Sequence, residues 1–380
     1  MKFTQDIQIG YFVKRPNRFI AYVEINGTVE VCHMPNPGRM WELLFPGAAV
    51  YVRHVGKTER KTAYDVVGIE RDGVPILLDT QYNNDIAAKL IQEHRIPGWE
   101  EWSLLRREVT VGDSRFDLLL HKGKELFYLE VKSCTLFGKS GAMFPDAVTE
   151  RGRKHIAELA AMHDDGYHTG VLFLVHWDRA RWFLPDYHTD TDFAATFMEC
   201  APKLDWKAFS LRWTADFSQP EPVRLLSYPE EVLRRENHDC GDYMIVMYLP
   251  EGRDIEVGAK GAISFLQGYY VYVGSAKKNL ASRLARHTRK RKQMHWHIDY
   301  LRRYAGVTAV LPVRTADDLE HELAAAVGAI SHWQIRDFGC TDCSCPSHLF
   351  GFHDNPIHRR DFMQLVEDFC MNRLESLIGL

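Results

Sequence analysis

The sequence predicts a globular chain of several domains, of mixed α/β and α+β class. Its 380 residues exceed the roughly 100–200 residues of one ordinary domain. The first 75 residues contain short strand-like runs, and strand-like and helix-like segments alternate after them, which is typical of an α/β domain. Hydrophobic residues make up 46% and charged residues 26% of the chain, so it can bury ordinary cores and is not expected to be disordered.

The predicted elements divide the chain into three parts. The runs FIAYVEI, VEVCHM, AVYVRHV and TAYDVVGIE, with a turn at Asn26-Gly27, have the spacing of a small barrel. A helix is predicted over NNDIAAKLIQEH, ahead of the alternating segments. Three prolines and the charged run PEEVLRRENHD between residues 214 and 240 predict a boundary. We therefore expect domains at residues 1–78, 79–235 and 236–380.

Charge and hydropathy narrow the function classes. The chain has 51 acidic and 47 basic residues, a net charge of -4, so a nucleic acid would have to be held by local basic patches. No apolar run reaches the roughly 18–20 residues that span a bilayer, and the start MKFTQDIQIG lacks the pattern of a secretion signal. We expect a cytoplasmic protein without a membrane partner.

Two carboxylates and a lysine form the first candidate site. If a β-hairpin turns at Lys122-Gly123, Asp117 lies opposite Tyr128 and diagonal to Glu130. Both carboxylates then share a sheet face with Lys132, whereas a slip by one residue would separate them. Such carboxylates suit Mg²⁺ or Mn²⁺, and the lysine can orient water or stabilise a phosphate, as phosphodiester cleavage requires. The alternative is that the acids form only the solvated face of a strand.

Four motifs cover the first 235 residues: Lys14-Arg15-Pro-Asn17-Arg18-Phe, Met34-Pro-Asn-Pro-Gly38-Arg39-Met, Leu129-Glu-Val-Lys-Ser-Cys134 and Phe144-Pro-Asp-Ala-Val-Thr-Glu-Arg-Gly152. Through them this part resembles the sugar fermentation stimulation protein A family. The resemblance implies an N-terminal OB-like β-barrel joined to a PD-(D/E)XK nuclease-like α/β domain. It also implies metal-site roles for Asp117, Glu130 and Lys132, and DNA binding as the activity class.

An OB-like barrel would hold single strands through a basic groove with aromatic faces. Two turns rich in proline, glycine and asparagine carry the candidate contacts Lys14, Arg15, Arg18, Asn36 and Arg39. A cationic helix entry adds Arg151 and Lys154, beside N-terminal amides that suit phosphate. For each of these residues the alternative is a solvated surface charge.

The second candidate site lies downstream, in a strongly basic segment. Tyr272 ends a strand-like run, a glycine turn follows, and Arg283 and His287 lie one helical turn apart. This part, about residues 240 to 350, resembles the GIY-YIG nuclease family and is expected to be an α+β domain. Tyr272-Val-Gly274 fits the family's second motif, and Gly241-Asp-Tyr243 is the counterpart of the first, with Gly268-Tyr-Tyr270 as an alternative.

The resemblance implies hydrolysis with one metal ion. Tyr272 or Tyr243 would deprotonate water, Arg283 would stabilise the developing charge, and Glu320 or Glu322 would hold Mg²⁺; the sequence does not choose between the two glutamates. The phosphate backbone would be bound by exposed cations of the same segment. These candidates are Lys277, Lys278, Arg286 and Arg289.

A cysteine-rich segment follows, Cys340-Thr-Asp-Cys343-Ser-Cys345-Pro-Ser-His348. Three thiols and an imidazole are ligand types that suit zinc, but zinc sites usually pair two such segments across a longer loop. We therefore favour a structural Cys-rich turn over a zinc site. The whole chain is interpreted as a DNA-binding protein with nuclease activity, with RNA not excluded. The alternatives are a non-catalytic DNA-binding regulator of sugar metabolism genes and a partner-binding protein with vestigial sites.

Overall fold

The computed structural model describes residues 7–56, 61–340 and 343–380. The chain forms two compact units, Met1–Pro229 and Glu230–Leu380. The segments expected to be a barrel domain and an α/β domain thus belong to one unit. The second unit begins at Glu230 and not at residue 236. The reason is that the helix Glu230–Glu236 ends in a residue, Glu236, that accepts a hydrogen bond from Arg373 of the second unit. Among the described helices, none combines the length and the apolar character needed to cross a membrane.

The first unit opens with a closed barrel. Its sheet runs β3-β2-β1-β4-β5-β6, and a parallel pairing of Cys32 with Tyr64 joins β3 to β5 and closes the first five strands. The predicted turn at Asn26-Gly27 is confirmed, with φ values of 51° and 78° as a type I′ hairpin requires. The strands are β1 (Ile7–Asn17), β2 (Ile20–Ile25), β3 (Thr28–His33), β4 (Ala49–His54), β5 (Tyr64–Arg71) and β6 (Val74–Leu77).

The α/β part of the first unit is built on the sheet β15-β14-β12-β9-β8-β7, in which β14, β12 and β9 are parallel and the other pairs are antiparallel. A smaller sheet has the order β10-β11-β13. The elements are α1 (Asn83–Gln92), β7 (Ser103–Val111), β8 (Ser114–Lys122), β9 (Glu125–Cys134), β10 (Leu136–Phe137), β11 (Gly141–Phe144), α2 (Glu150–Asp164), β12 (His168–Val175), β13 (Trp182–Pro185), α3 (Thr191–Cys200), β14 (Lys207–Arg212) and β15 (Glu221–Leu225).

Side chains from the α/β part complete the packing of the barrel. Phe217 lies over Gly68 of β5, where an added Cβ would come within 2.4 Å of the ring. The same ring meets Tyr51 of β4 edge-on, with 5.2 Å between centroids. Arg71 of β5 donates a 2.8 Å hydrogen bond to the carbonyl oxygen of Phe137. These contacts explain why the barrel and the α/β part form one unit.

The second unit is an antiparallel sheet, β20-β16-β19-β22-β21, flanked by helices. The predicted basic helix is shorter than expected: it ends at Thr288, whose carbonyl oxygen accepts a hydrogen bond from Arg302 in place of a further turn. The elements are α4 (Glu230–Glu236), β16 (Gly241–Leu249), β17 (Arg253–Glu256), β18 (Ala262–Phe265), β19 (Gly268–Ala276), α5 (Leu280–Thr288), α6 (His297–Arg302), β20 (Gly306–Arg314), α7 (Glu320–Ile330), β21 (Trp333–Gln334), β22 (Leu349–Phe352), α8 (Arg360–Glu367) and α9 (Leu374–Ile378).

Candidate metal and nucleic-acid sites

The hairpin β8–β9 brings the two predicted carboxylates to one sheet face, in a register that differs from the predicted one. Lys122 pairs with Glu125 and Leu118 with Leu129, so Asp117 is next to Glu130 across the strands and not diagonal to it. The loop consists of Gly123 and Lys124, shifted by one residue from the predicted turn. Because the pairing changes by two residues, the side chains keep their faces, and the expected convergence is retained.

Glu130 is buried, with 3% of its surface exposed, and is held by two cationic or polar neighbours. Lys132 Nζ lies 2.6 Å from Glu130 Oε1, and His155 Nδ1 of helix α2 lies 2.6 Å from the same oxygen. Burial opposes the charge, but the bonds from His155 and Lys132 outweigh it and lower the pKa of Glu130. The carboxylate is therefore ionised at neutral pH.

Asp117 is oriented by the backbone and by an amide side chain. Its Oδ2 accepts a 2.8 Å hydrogen bond from the Val131 amide, and its Oδ1 accepts a 2.9 Å bond from Asn84 Nδ2 of helix α1. Burial, followed by the charge of Glu130, raises the pKa of Asp117. A cation between the two carboxylates would relieve this repulsion.

One buried atom at this site has no hydrogen-bond partner. Glu130 Oε2 is inaccessible to solvent and has no hydrogen-bond partner among the residues that the structure describes, which is costly for a carboxylate oxygen. A hard divalent cation that bridges Glu130 and Asp117 would satisfy it, since such ions take carboxylate oxygens as ligands. The residues present thus fit a Mg²⁺ or Mn²⁺ ion, with Asn84 and His155 as supporting residues that sequence reasoning did not assign to this site.

The predicted phosphate-binding helix entry is present at the start of α2. Thr149 caps the helix, with its Oγ1 accepting a 3.1 Å hydrogen bond from the Gly152 amide. Arg151 and Lys154 are exposed on the first turns, with Lys154 Nζ 3.5 Å from Glu158. Since His155 of the same helix contacts Glu130, these cations lie on the element that reaches the carboxylate site.

The barrel candidates separate into exposed and internal groups. The Arg15 guanidinium donates hydrogen bonds of 2.6–3.1 Å to the carbonyl oxygens of Arg18, Asn36, Gly38 and Arg39. Burial lowers the pKa of Arg15 to about 10, which leaves it charged at neutral pH. Arg15 therefore holds the loop together, whereas the surface at Lys14 and Arg18 is exposed.

Two further barrel candidates are also used inside the protein. Asn36 is 4% exposed, and its Oδ1 accepts a 2.9 Å hydrogen bond from the Gly38 amide. Arg39 donates to the Asp146 carbonyl oxygen and, at 3.0 Å, to Thr189 Oγ1, while its guanidinium stacks on Trp41. The hydrogen bonds of Asn36 and Arg39 fix the turn that follows β3. Both side chains therefore lie within this loop and not on the open surface that the predicted nucleic-acid contacts would require.

In the second unit the predicted residues surround a cavity of about 250 Å³ that Tyr243, Tyr272, Arg283 and Glu320 line together. Tyr243 pairs with Gly274 and Tyr272 with Ile245, so the two tyrosines share one face of β16 and β19, with ring centroids 6.3 Å apart. The alternative Tyr270 donates its hydroxyl proton to Leu266 at 2.8 Å instead.

Tyr243 and His287 form a buried hydrogen-bonded pair. Tyr243 Oη lies 3.0 Å from His287 Nε2. Burial raises the pKa of Tyr243, and burial together with the nearby Lys292 charge lowers the pKa of His287 to about 4. At neutral pH the tyrosine is thus protonated and the imidazole is neutral, so the hydroxyl donates and Nε2 accepts.

Of the two competing glutamates, only Glu320 faces the cavity. Its Oε2 accepts a 2.5 Å hydrogen bond from Ser275 Oγ, and Arg283 Nη1 donates a 2.7 Å bond to the Ser275 carbonyl oxygen. Burial opposes its charge, but the bonds from His348 and Ser275 lower the pKa of Glu320. Glu322, two residues along α7, is exposed and is not among the lining residues.

The positive charge of the basic segment is partly neutralised by the buried Asp299, which the residue pattern did not identify as an ion-pair partner of the arginines and lysines. Asp299 receives two hydrogen bonds from Arg286, at 2.9 and 3.2 Å, and lies 2.7 Å from Lys292 Nζ. Arg286 is therefore a structural residue as well as a candidate contact. Lys277, Lys278 and Arg289 are exposed and form the accessible part of the predicted phosphate-binding surface.

The cysteine-rich segment meets a residue from α7. The Nδ1, Nε2 or Sγ atoms of His321, Cys343, Cys345 and His348 all lie within 4.8 Å of one another. Three of the four predicted candidates are thus brought together. Cys340 is buried and lies outside this group; His321, 24 positions before Cys345, takes its place.

Comparison with known proteins divides the chain in the same order. Residues 13–78 match the SfsA N-terminal OB domain, residues 81–216 match the sugar fermentation stimulation protein RE domain, and residues 242–371 match a domain of unknown function, DUF123. The OB-like barrel is therefore confirmed. The last match gives a domain that is compatible with the nuclease-like fold expected there but does not specify the GIY-YIG family.

Similar proteins each cover about half of the chain or slightly more. The sugar fermentation stimulation protein homologue of Clostridium botulinum strain Langeland is 42% identical over 194 residues, which is 51% of this chain and 84% of that protein. The homologue of Methanothermobacter thermautotrophicus is 39% identical over 186 residues, 49% of this chain and 78% of that protein. The structure of Pyrococcus furiosus SfsA in complex with Ca²⁺ aligns with a TM-score of 0.55 and 28% identity, over 59% of this chain and 96% of that one. With its OB barrel and its RE domain, the chain belongs to the sugar fermentation stimulation protein family.

Proposed function

We propose that the protein is a divalent-metal-dependent nuclease that binds DNA and hydrolyses its phosphodiester bonds. The observation that carries the proposal is the unpaired, buried Oε2 of Glu130 next to Asp117. A carboxylate oxygen in that state needs a cation or a donor. The neighbouring Lys132 and the exposed Arg151 and Lys154 supply positive charge for a phosphate.

Asp117 and Glu130 would hold the metal ion, in the arrangement of a PD-(D/E)XK nuclease-like site. A bound Mg²⁺ or Mn²⁺ would polarise the phosphate and lower the pKa of an attacking water. His155 holds Glu130 Oε1, which would leave Oε2 available to the ion, and Asn84 and the Val131 amide orient the two oxygens of Asp117. The Lys132 ammonium, on the same face, stabilises the negative charge that develops on the phosphate.

Two further observations support a divalent cation. The related Pyrococcus furiosus SfsA was solved in complex with Ca²⁺, and Ca²⁺ and Mg²⁺ share the preference for oxygen ligands. Burial, and after it the charge of Glu130, raises the pKa of Asp117, which is the repulsion that a cation between the two carboxylates would relieve.

The second unit supports the same class of reaction through a GIY-YIG-like site. Neutral His287 accepts the Tyr243 proton in a hydrogen bond, which makes the tyrosine oxygen a better acceptor for a proton from water. Arg283, near the same hydroxyl, would neutralise the phosphate. Glu320 would hold the metal ion, since it is the glutamate of the pair that lines the cavity.

Cleavage assays with matched variants test the proposal. The purified chain is incubated with single-stranded, duplex and branched DNA, with Mg²⁺, Mn²⁺ or a chelator. For the first unit we compare Glu130→Ala with Glu125→Ala, an exposed glutamate of the same strand. For the second unit we compare Arg283→Ala with Arg234→Ala, which is exposed and paired only with Glu230 among the described residues.

In the Arg283→Ala background, which removes the second site, we expect metal-dependent cleavage that Glu130→Ala lowers by at least about 10²-fold, because loss of a ligand removes the metal's stabilisation of the developing charge, while Glu125→Ala leaves it unchanged. Binding measured in the chelator should survive in both variants. Salt-sensitive DNA binding without cleavage by the parent chain, under any metal, would replace the proposal by that of a non-catalytic DNA-binding regulator. RNA in place of DNA as the preferred substrate would change the substrate class only.

A further inference from the structure

A second set of metal-ligand atoms lies in the second unit, apart from the tyrosines and the arginine of the cavity. His321 Nδ1 is 3.3 Å from Cys345 Sγ, and His348 Nε2 is 3.5 Å from Cys343 Sγ. All four side chains bring their ligand atoms within 4.8 Å of one another. The two sulfur–nitrogen pairs therefore form one compact group and not two separate contacts.

The distances agree with a tetrahedral zinc site. With Zn–S near 2.3 Å and Zn–N near 2.0–2.1 Å, ligand atoms at the corners of a tetrahedron are separated by about 3.3 to 3.8 Å. The two sulfur–nitrogen distances of 3.3 and 3.5 Å lie in that range. No pair of ligand atoms in the group is more than 4.8 Å apart, so the largest excess over this range is at most about 1 Å, which small rotations of the side chains would close.

One ligand lies on a helix, and a second is anchored through its backbone. His321 lies in the first turn of α7, and its side chain is exposed. His348, only 2% exposed, is fixed at both backbone groups: its amide donates a 2.8 Å hydrogen bond to Phe338, and its carbonyl oxygen accepts a 2.9 Å bond from the Val273 amide of β19. Cys343 and Cys345 stand on the loop directly before this anchor.

A carboxylate stands behind one of the histidines. Glu320 Oε1 is 3.2 Å from His348 Nδ1, while His348 Nε2 faces Cys343. Histidines that bind a metal through one ring nitrogen usually present the other to a carboxylate or carbonyl group, which fixes the ring orientation. In His348, Nδ1 lies at ion-pair distance from this carboxylate but makes no hydrogen bond with the described residues, and Nε2 is turned toward Cys343.

We propose that His321, Cys343, Cys345 and His348 bind a structural zinc ion. Two thiolates and two imidazoles are soft or borderline ligands that select zinc over Mg²⁺ or Ca²⁺. The protein supplies all four positions, so no position stays open for a substrate and the site is structural. This set revises the sequence-based candidates by exchanging Cys340 for His321.

The zinc site would also determine the position of a cavity residue. Glu320 contacts His348 through one oxygen and Ser275 through the other. A zinc ion that holds His348 would therefore hold Glu320 toward Ser275, whose carbonyl oxygen accepts from Arg283. Through these contacts the zinc ion orders the wall of the cavity without touching a substrate.

Metal analysis of the full-length chain tests the site without a nuclease assay. The protein is purified under reducing conditions, dialysed against zinc-free buffer and analysed for metal content. We compare His321→Ala and Cys345→Ser with Cys340→Ser, the matched control that removes a thiol outside the group. His321 is exposed, so its replacement should leave the fold intact, which far-ultraviolet circular dichroism verifies.

We expect about one zinc ion per chain in the parent protein and in Cys340→Ser, as one closed four-ligand site requires, and at least a fivefold lower content in His321→Ala and Cys345→Ser. Replacement by Co²⁺ should give a sulfur-to-cobalt charge-transfer band that weakens by about half in Cys343→Ser, since one of two thiolates is lost. Zinc that dialyses away from the parent protein, or that is unaffected by His321→Ala, would refute the site. A Cys343–Cys345 disulfide in the reduced preparation would also refute it.

Discussion

Gly274 offers a direct test of how the cavity of the second unit is built. Gly274 of β19 pairs with Tyr243 of β16, so the tyrosine ring lies across the glycine. A Cβ added at Gly274 would lie 2.5 Å from the Tyr243 hydroxyl oxygen and 2.6 Å from its Cζ. Gly274→Ala therefore forces the ring to move by about 1 Å, given ordinary contacts near 3.5–4.0 Å.

The cost has two parts. Overpacking a well-packed interior costs about 1–3 kcal/mol, and displacement of the ring breaks the 3.0 Å bond from Tyr243 to His287, which adds about 1 kcal/mol. The backbone at Gly274 needs no positive φ, so strain of the backbone does not contribute. We expect Gly274→Ala to lower the free energy of unfolding by roughly 2–4 kcal/mol.

Urea unfolding of the full-length chain, followed by tryptophan fluorescence, measures this change. Gly306→Ala is the matched control: Gly306 begins β20 in the same unit, and an added Cβ there meets no atom of the described residues within 4 Å. The control should be neutral or slightly stabilising, by up to about 1 kcal/mol. If Gly274→Ala unfolds at the same urea concentration as Gly306→Ala, the close approach of Tyr243 to Gly274 is refuted.

Three further predictions concern charge. Arg15→Ala should lower the free energy of unfolding, measured in urea, by at least about 3 kcal/mol. Each hydrogen bond from a charged donor contributes about 1.5–3 kcal/mol, and Arg15 makes four. The control Arg18→Ala should change the free energy of unfolding by no more than about 0.5 kcal/mol. The pKa of His287 is about 4 in the folded chain and 6.5 for an ordinary histidine, so as the pH falls the unfolded chain binds a proton first, and the free energy of unfolding should fall between pH 6.5 and 4. The urea midpoint should therefore fall less with pH in His287→Gln than in the parent chain. An equal fall in both would contradict the assignment. The double variant Lys277→Ala, Lys278→Ala should reduce the slope of log affinity for DNA against log salt by about 2, as measured by fluorescence anisotropy, whereas an unchanged slope would remove these lysines from the interface.

Local sequence patterns were sufficient to predict the strands of the barrel and the faces of the first site. The side chains of a strand alternate between faces, so Asp117 and Glu130 share a face in the predicted register and in the observed one. The register itself depends on the loop. Gly123 has φ of 60° and opens a two-residue loop with Lys124, as a type II′ turn with glycine first requires, and this detail was not evident from the residue pattern.

Tertiary contacts determined the rest of the site, and the sequence alone could not supply them. His155 reaches Glu130 from a helix 25 positions away, and His321 reaches Cys345 across 24 positions. Charge counting likewise does not distinguish an exposed cation such as Lys278 from Arg286, which the buried Asp299 holds. The turn predicted after Tyr272 was wrong, because Gly274 lies within β19, where it pairs with Tyr243 of β16.

The position of Phe217 over Gly68 has a practical consequence for dissecting the protein. A fragment that stops after the barrel would lose the Phe217 ring and expose the apolar surface around Gly68 and Tyr51 to solvent. Exposed apolar surface of this kind promotes aggregation. Fragments intended for crystallisation or binding studies should therefore extend to Pro229, where the first compact unit ends.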